Sequence, residues 1–273
     1  MTAPNSYGVV ATDLDGTVVR SDGTISPRTR DALTAARDAG ALIVVATGRP
    51  PRWLTGIAEA TGHSGIAVCA NGALTYDLAT EQVVGYRQLD IDVVRTVMER
   101  LRADVPGVAF AIERVDGQFA HEPDYHPRWE PEDSTIIGDL EPVFDVPVSK
   151  LLGRVEGAGS DDLLAMARAV IPEGVANLTH SSIDGLLEVM ACGVSKATTL
   201  EQLIAEHGLT ARDVVAFGDM PNDVEMIAWA GHGVAVANAH PEVLAIANEV
   251  TGTNDADGVA QVLERLFGGI DPK

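Results

Sequence analysis

Four short segments carry side chains that could bind or transfer a phosphate group. The first, Asp13-Leu14-Asp15-Gly16-Thr17, holds two carboxylates on one side of the chain, because Leu14 between them points the other way. Two carboxylates this close repel each other unless a cation or a shared proton lies between them, which favours a hard metal such as Mg²⁺. One carboxylate could act as a nucleophile and the other as a general acid and base. A capping and turn cluster is the alternative, since Asp, Gly and Thr are common in turns.

The other three segments add a hydroxyl, an ammonium group and further oxygen ligands. In Thr47-Gly48-Arg49-Pro50 a hydroxyl and a free backbone N–H could bind phosphate oxygens, although this is also an ordinary turn. Lys196 lies at a predicted helix start, where a cation is disfavoured unless an anion sits beside it. A surface lysine is the alternative. Gly218-Asp219-Met220-Pro221-Asn222-Asp223 places two carboxylates and an amide at another helix start, as simple caps or as ligands.

Each segment follows a predicted strand or begins the next helix. Short apolar runs at Val9–Thr12, Ala41–Ala46, Ile66–Ala70 and Val214–Phe217 are typical of buried strands. A helix is predicted at Pro27–Ala39 between the first two. Strands that alternate with helices predict an α/β fold with a parallel sheet and right-handed crossovers. Because ligands of such sheets collect at the carboxyl ends of the strands, we expect the four segments to converge there.

The alternation is interrupted in the middle of the chain. From about residue 85 to 188 the pattern changes to helices and shorter, antiparallel strands, with a proline-rich stretch at His121–Pro147. The first pattern returns with a strand at Leu186–Met190. We therefore predict a core domain from residues 1–84 and 189–273, and an inserted α+β domain from residues 85–188.

Composition narrows the classes of partner. The formal net charge of −21 repels nucleic acid and anionic lipid, so neither is expected as a partner. An anionic substrate would be repelled as well, and a phosphate site would need local cations from a chain with only three lysines, Lys150, Lys196 and Lys273. No signal sequence or membrane-spanning run is evident, which makes the cytoplasm the expected location. Cys69 and Cys192 lie in apolar runs and are predicted to be buried, reduced thiols. The oligomeric state is left open.

The four segments together resemble a known group. DLDGT, TGRP, GVSK and GDMPND occur in the order and spacing of the haloacid dehalogenase superfamily. The large insertion between Thr47 and Lys196 resembles that of its Cof-type branch, subfamily IIB. ANGA at Ala70–Ala73, NAHPEV at Asn238–Val243 and TNDADGVA at Thr253–Ala260 are also similar to that branch. The resemblance implies a Rossmann-like parallel-sheet core with an inserted α+β cap domain of the C2 type.

The resemblance also implies an activity and a set of site residues. It implies a Mg²⁺-dependent phosphatase for a small phosphomonoester, such as a sugar phosphate or a phosphorylated cofactor. Asp13 would form an aspartyl-phosphate, and Asp15 would protonate the leaving group and then activate water. The phosphoryl group would be held by Thr47, Gly48, Lys196 and Asn222. The metal would be bound by the Asp13 carboxylate, the main-chain carbonyl of Asp15, Asp219 and Asp223.

Three alternatives remain open. A phosphomutase of the same architecture would share every one of these residues and transfer the phosphoryl group to a second hydroxyl. A receiver-like signalling protein also combines acids, a threonine and a lysine, but the Asp-x-Asp spacing and the insertion speak against it. A non-catalytic phosphate-binding protein would not need both Asp13 and Asp15. Arg49 could approach the phosphate or form a structural ion pair.

Overall fold

The structure is a computed structural model that describes residues 7–129 and 133–268. The chain divides into two compact units. The first, which we call the core unit, consists of the segment up to Val84 and the segment from Lys196 onward. The second, which we call the inserted unit, is Gly85–Ser195. The chain therefore returns to the core unit at residue 196, whereas the sequence predicts the return at residue 189.

Short strands alternate with helices along most of the described chain. The strands are β1 (Val9–Thr12), β2 (Leu42–Ala46), β3 (Ile66–Cys69), β4 (Leu74–Asp77), β5 (Gln82–Tyr86), β6 (Ala109–Arg114), β7 (Phe119–His121), β8 (Ile136–Ile137), β9 (Val148–Arg154), β10 (Ala176–Thr179), β11 (Leu186–Ala191), β12 (Val214–Gly218), β13 (His232–Ala235) and β14 (Glu249–Val250). The α-helices are α1 (Pro27–Asp38), α2 (Ile57–Thr61), α3 (Ile91–Asp104), α4 (Ser160–Val170), α5 (Lys196–Ala205), α6 (Val224–Trp229), α7 (Pro241–Ile246) and α8 (Gly258–Phe267).

Eight strands form the sheet of the core unit in the order β14-β13-β12-β1-β2-β3-β4-β5. Strand β1 lies in the middle and pairs in parallel with β2 on one side and β12 on the other. The pairs β2–β3, β12–β13 and β13–β14 are also parallel, whereas β3–β4 is antiparallel. The predicted α/β fold with a parallel sheet is thus confirmed, and the carboxyl ends of β1, β2, β3 and β12 share one edge.

Helix α1 shows how the sequence sets an element boundary. Ser26 precedes the helix, and its hydroxyl accepts a hydrogen bond of 3.0 Å from the backbone N–H of Thr29. Pro27 occupies the first helical position, where its missing N–H costs nothing. The chain then leaves the helix at Gly40, whose φ of 97° favours glycine. These local signals set both ends of the helix that connects β1 to β2.

The inserted unit has its own sheet, in the order β10-β11-β9-β6-β7-β8. Its strands are antiparallel except for the β7–β8 pair, and one face packs into an apolar core with residues of α3 and α4. Strand β11 pairs with β9 and β10 in this sheet. The prediction that Leu186–Met190 is a strand of the parallel core sheet is therefore wrong. An apolar run of this length has the same pattern in either sheet, so the run by itself does not decide which sheet it joins.

Two smaller findings concern the cysteines and the helices. Cys69 is buried at the end of β3, but Cys192 is exposed, so the prediction of two buried thiols is wrong for Cys192. Over residues 7–129 and 133–268, no helix combines the length and the apolar composition needed to cross a bilayer.

Candidate active site

The side chains singled out in the sequence lie in the core unit, at one edge of its sheet. Asp13 directly follows β1, and its backbone N–H continues the pairing with β12 by a 3.0 Å hydrogen bond to the Phe217 carbonyl. Thr47 directly follows β2, and Asp219 directly follows β12. Lys196 is the first residue of α5. Parallel pairing therefore brings together segments that are up to about two hundred residues apart in sequence.

A buried lysine joins the first segment to the last. Lys196 has no exposed surface, and its Nζ lies 2.6 Å from Asp13 Oδ1 and 2.7 Å from Asp223 Oδ1. The other oxygen of Asp223, Oδ2, accepts hydrogen bonds from the backbone N–H groups of Asp219 and Met220 at 3.0 and 3.1 Å. Asp223 thus holds both the lysine and the turn after β12. It ties the ammonium group to the loop that carries Asp219.

Three buried carboxylates form an oxygen-rich cluster. Asp13, Asp219 and Asp223 each offer a carboxylate oxygen, and these oxygens lie within 4.8 Å of one another. Thr17 donates a hydrogen bond of 2.9 Å to Asp219 Oδ1 and so fixes that side chain. Gly16 has a φ of 80°, and a Cβ at this position would lie 2.3 Å from Asp219 Oδ2. Glycine is therefore required there, both for the backbone conformation and for the approach of Asp219.

The electrostatics of this cluster leave negative charge uncompensated. Burial raises the pKa of Asp13 well above its usual value, the Lys196 ammonium opposes that rise, and Asp223 adds to it. Burial and then the charge of Asp223 raise the pKa of Asp219 to about 7. Burial lowers the pKa of Lys196, but the carboxylates of Asp13 and Asp223 outweigh it and raise that pKa overall. Three acids share one ammonium group, so this all-oxygen donor set fits a hard divalent cation.

Asp15 takes a different position from the other acids. Its carboxylate forms a two-pronged ion pair with Arg49, with Arg49 Nε 2.7 Å from Oδ2 and Nη2 2.5 Å from Oδ1. The Asp15 side chain is 58% exposed and does not belong to the buried cluster. The hydrogen bond to Asp15 raises the pKa of Arg49. Of the two roles left open for Arg49, the structure shows the ion pair.

The candidate phosphate-binding residues are connected through Asn71. The Thr47 carbonyl accepts a 3.1 Å hydrogen bond from the Asn71 backbone N–H, and the Thr47 hydroxyl accepts one from the Arg49 N–H across Gly48. Asn222 donates from Nδ2 to Asn71 Oδ1 at 2.9 Å. Thr47 and Asn222 are both buried, and Asn71 forms a hydrogen bond with each of them.

Several residues at this edge have contacts that the sequence does not reveal. Thr17 and Asn71 hold Asp219 and Asn222, as described above. Asn238 donates from Nδ2 to the Gly16 carbonyl at 2.8 Å and accepts from the Asn254 backbone N–H at 2.9 Å. Each of these residues lies inside a short segment that the sequence marks, so its neighbourhood could be anticipated. Its hydrogen-bonding partner, in another segment, could not.

A parallel α/β sheet whose carboxyl edge gathers buried acids around one lysine fits the class of proteins that transfer phosphoryl groups. The chain belongs to the haloacid dehalogenase-like hydrolases, because the profile of that family matches residues 10–263. This bears out the resemblance seen in the four segments. Together with the relatives named next, it confirms the predicted type of enzyme, a phosphatase of the haloacid dehalogenase superfamily.

Relatives with assigned names agree with this class. The chain is 28% identical to the 5-amino-6-(5-phospho-D-ribitylamino)uracil phosphatase YitU of Bacillus subtilis, over 95% of this chain and 97% of that protein. It is 28% identical to the pyridoxal phosphate phosphatase YbhA of Escherichia coli, over 93% and 97%. The solved structure of BT1666 from Bacteroides thetaiotaomicron, a phosphatase of the same superfamily, superimposes with a TM-score of 0.79 at 25% identity and covers 99% of this chain and 98% of that one.

Proposed function

We propose that this chain is a Mg²⁺-dependent phosphatase that hydrolyses a small phosphomonoester through an aspartyl-phosphate on Asp13. The observation that supports this most strongly is the buried contact of the Lys196 ammonium with both Asp13 and Asp223, beside the third acid, Asp219. A site that only bound phosphate would not need a carboxylate at its centre, because an anion would repel the ligand. A carboxylate that acts as the nucleophile must lie at this position, and cations beside it must offset its repulsion of the anionic ligand.

Phosphate binding is assigned to Thr47, Gly48, Lys196 and Asn222. The Thr47 hydroxyl, the Gly48 backbone N–H, the Lys196 ammonium and the Asn222 amide are all donors, as phosphoryl oxygens require. Phosphoryl transfer depends mainly on positioning and on neutralising charge. The hydrogen bonds that fix Lys196 and Asn222 in advance reduce the reorganisation needed when substrate binds.

Turnover proceeds by two displacements at phosphorus. A carboxylate oxygen of Asp13 attacks phosphorus, the bond from phosphorus to the ester oxygen breaks, and Asp15 gives a proton to that oxygen. Asp15 then takes a proton from water, the water oxygen attacks phosphorus, and the bond to Asp13 breaks to release inorganic phosphate. Asp15 has to share or leave its contact with Arg49 for this role. Since the Asp15 side chain is 58% exposed, water can solvate its carboxylate when the two groups separate.

The donor set described above would hold Mg²⁺ through the Asp13 carboxylate, the Asp15 main-chain carbonyl, Asp219 and Asp223. When bound, the ion would add the positive charge that neutralises the phosphoryl oxygens. The inserted unit would correspond to the cap domain of this family. Two relatives are named for phosphorylated metabolites, which suggests a substrate of that general kind.

Activity on a panel of phosphate esters tests this proposal. Wild type should release inorganic phosphate only when Mg²⁺ is present. Asp13→Asn should lower turnover at least about a thousandfold, because the nucleophile is lost, while the unfolding transition is retained. Asp31→Asn, at an exposed position of α1, is the matched control and should behave as wild type. Normal phosphate release by Asp13→Asn would remove Asp13 from its role, and phosphate moved between hydroxyls without release would identify a phosphomutase.

A further inference from the structure

The turn after β3 contacts three separate parts of the proposed site. It consists of Ala70, Asn71 and Gly72, which form a tight turn with positive φ at the carboxyl end of the strand. The Ala70 N–H donates to the Arg49 carbonyl at 3.0 Å, and the Gly72 carbonyl accepts from the Thr199 hydroxyl at 2.8 Å. Thr199 lies on α5, one turn after Lys196. The turn therefore fixes the position of the loop after β2 relative to the helix of the lysine.

Asn71 is the centre of this turn and is 1% exposed. Its φ of 57° lies in the left-handed region, which asparagine tolerates better than other residues with a side chain. Ala70 before it also has a positive φ, of 48°. Backbone in this region persists only where its surroundings impose it, and such positions are common at functional sites. Here the imposed conformation lets the Asn71 backbone reach Thr47 while its side chain reaches Asn222.

The hydrogen bond from Asn222 to Asn71 decides which way the Asn222 amide points. Asn222 Nδ2 donates one of its two hydrogens to Asn71 Oδ1, while Asn222 Oδ1 has no hydrogen-bond partner among the described residues. With Asn71 Oδ1 facing it, a reversed Asn222 amide would set its own Oδ1 against that oxygen, with two acceptors facing each other. The second Nδ2 hydrogen is thereby kept as a donor, on the residue that directly precedes Asp223, the partner of Lys196.

We propose that Asn71 is a positioning residue: its side-chain oxygen orients the amide of Asn222 so that one N–H is presented to a phosphoryl oxygen. This inference rests on the proposed function, because it gives Asn222 a phosphate to bind. Asparagine suits the position because it combines tolerance of the left-handed conformation with a neutral acceptor. Aspartate would also accept the hydrogen bond but would add a further negative charge beside Asp13, Asp219 and Asp223.

A double-mutant cycle of Asn71→Gly and Asn222→Ala tests the assignment. Glycine keeps the left-handed backbone and the N–H that donates to Thr47, and it removes only the side chain. Glu81→Gly is the matched control, because Glu81 also has a left-handed φ, 55°, but is exposed in the turn between β4 and β5. Each variant, with Mg²⁺, is assayed for hydrolysis of p-nitrophenyl phosphate and for orthovanadate binding by calorimetry.

Asn71→Gly should raise KM and weaken orthovanadate binding about tenfold, close to the effect of Asn222→Ala, because one charge-assisted hydrogen bond is lost in both. The change in kcat should be smaller, since the contact is made in the ground state as well. The double variant should differ from Asn222→Ala by less than about twofold, because Asn71 acts through a side chain already absent. Glu81→Gly should match wild type.

Two results would overturn the assignment. One is an Asn71→Gly variant that binds orthovanadate as Glu81→Gly does; the other is a double variant whose loss equals the product of the two single losses. In either case an active wild type would leave the proposed function standing. A wild type that neither hydrolyses the ester nor binds orthovanadate would reject both. If Asn71→Gly does not fold, Asn71→Ser replaces it in the cycle, because its shorter side chain cannot span the contact to Asn222.

Discussion

Replacing Asp219 by asparagine should stabilise the metal-free protein at neutral pH. Asp219 is buried, and its pKa of about 7 reflects first the cost of burial and then the nearby charge of Asp223. Asparagine has nearly the same size, and its Oδ1 can still accept the hydrogen bond that Thr17 donates. The substitution therefore removes a buried negative charge and leaves the packing of the cluster in place.

The size of this stabilisation and its pH dependence both follow from the shift in the Asp219 pKa. The folded pKa lies above the value of 3.8 for an unperturbed carboxyl, so the folded state binds this proton more tightly than the unfolded chain. The stability that this tighter proton binding contributes is fully present below pH 4 and is lost as the pH rises through 7. A rise of about three units, at ~1.4 kcal/mol each, sets an upper limit of about 4 kcal/mol for the loss by pH 7.5. Asparagine has no such proton to lose.

Urea unfolding in EDTA between pH 4 and pH 7.5 measures this difference. In a Trp129→Phe background the remaining tryptophans, Trp53 and Trp229, both report on the core unit. Asp219→Asn should be more stable than wild type by roughly 2–4 kcal/mol at pH 7.5 and about equal to it at pH 4. Adding Mg²⁺ should stabilise wild type and have much less effect on the variant.

This experiment measures the effect of the buried charge of Asp219. Asp31→Asn removes an exposed charge instead, so it serves as the control and should show no pH-dependent difference from wild type. A variant that is less stable than wild type at pH 7.5 in EDTA would refute the reasoning. So would a gain of the same size at pH 4, because that gain could not come from the ionisation of Asp219.

Two further predictions concern the same cluster. Lys196→Met should cost about 3–5 kcal/mol of unfolding free energy, because it leaves Asp13 and Asp223 buried without their cation. Lys150→Met is the control, because it breaks a buried ion pair with Glu188 in the inserted unit. It should also destabilise the protein but retain orthovanadate binding. Loss of binding in both variants would contradict the assignment of Lys196 to phosphate binding. Gly16→Ala should abolish the stabilisation by Mg²⁺, since the added Cβ would displace Asp219. Gly23→Ala is the control: Gly23 has a φ of 82° and open space around it, so this variant should show only backbone strain. Equal Mg²⁺ effects on the two alanine variants would show that Gly16 does not control Asp219.

The sequence predicts the core of this fold from local signals. The apolar runs at β1, β2, β3 and β12, with helices between them, are sufficient for a parallel sheet, and parallel pairing then brings the ends of those strands together. Lys196 begins α5 after β11, a strand of the other sheet, so its place in the site does not follow from that pairing. The grouping of Asp13, Asp219 and Asp223 depends on this topology alone. It could therefore be anticipated before any coordinate was known.

Contacts that depend on pairing or on side-chain direction could not be anticipated. The run that forms β11 has the composition of a core strand, and its assignment to the second sheet depends on pairing with β10 on one side and β9 on the other. Asp15 alternates with Asp13 along the chain, yet its side chain turns outward to Arg49. The pairing of Asn71 with Asn222 joins residues 151 positions apart, and neither residue alone indicates the other.

The central position of β1 in its sheet has a consequence for synthesis on the ribosome. One neighbour, β2, follows within about thirty residues, but the other, β12, pairs Val9 with Val214 and lies beyond the whole inserted unit. At ~5–20 residues per second, translation takes roughly ten to forty seconds to supply that second neighbour. During this interval the nascent chain carries an apolar strand with one unpaired edge. Such an edge can pair with another chain and start aggregation, and chaperones can prevent this by binding it.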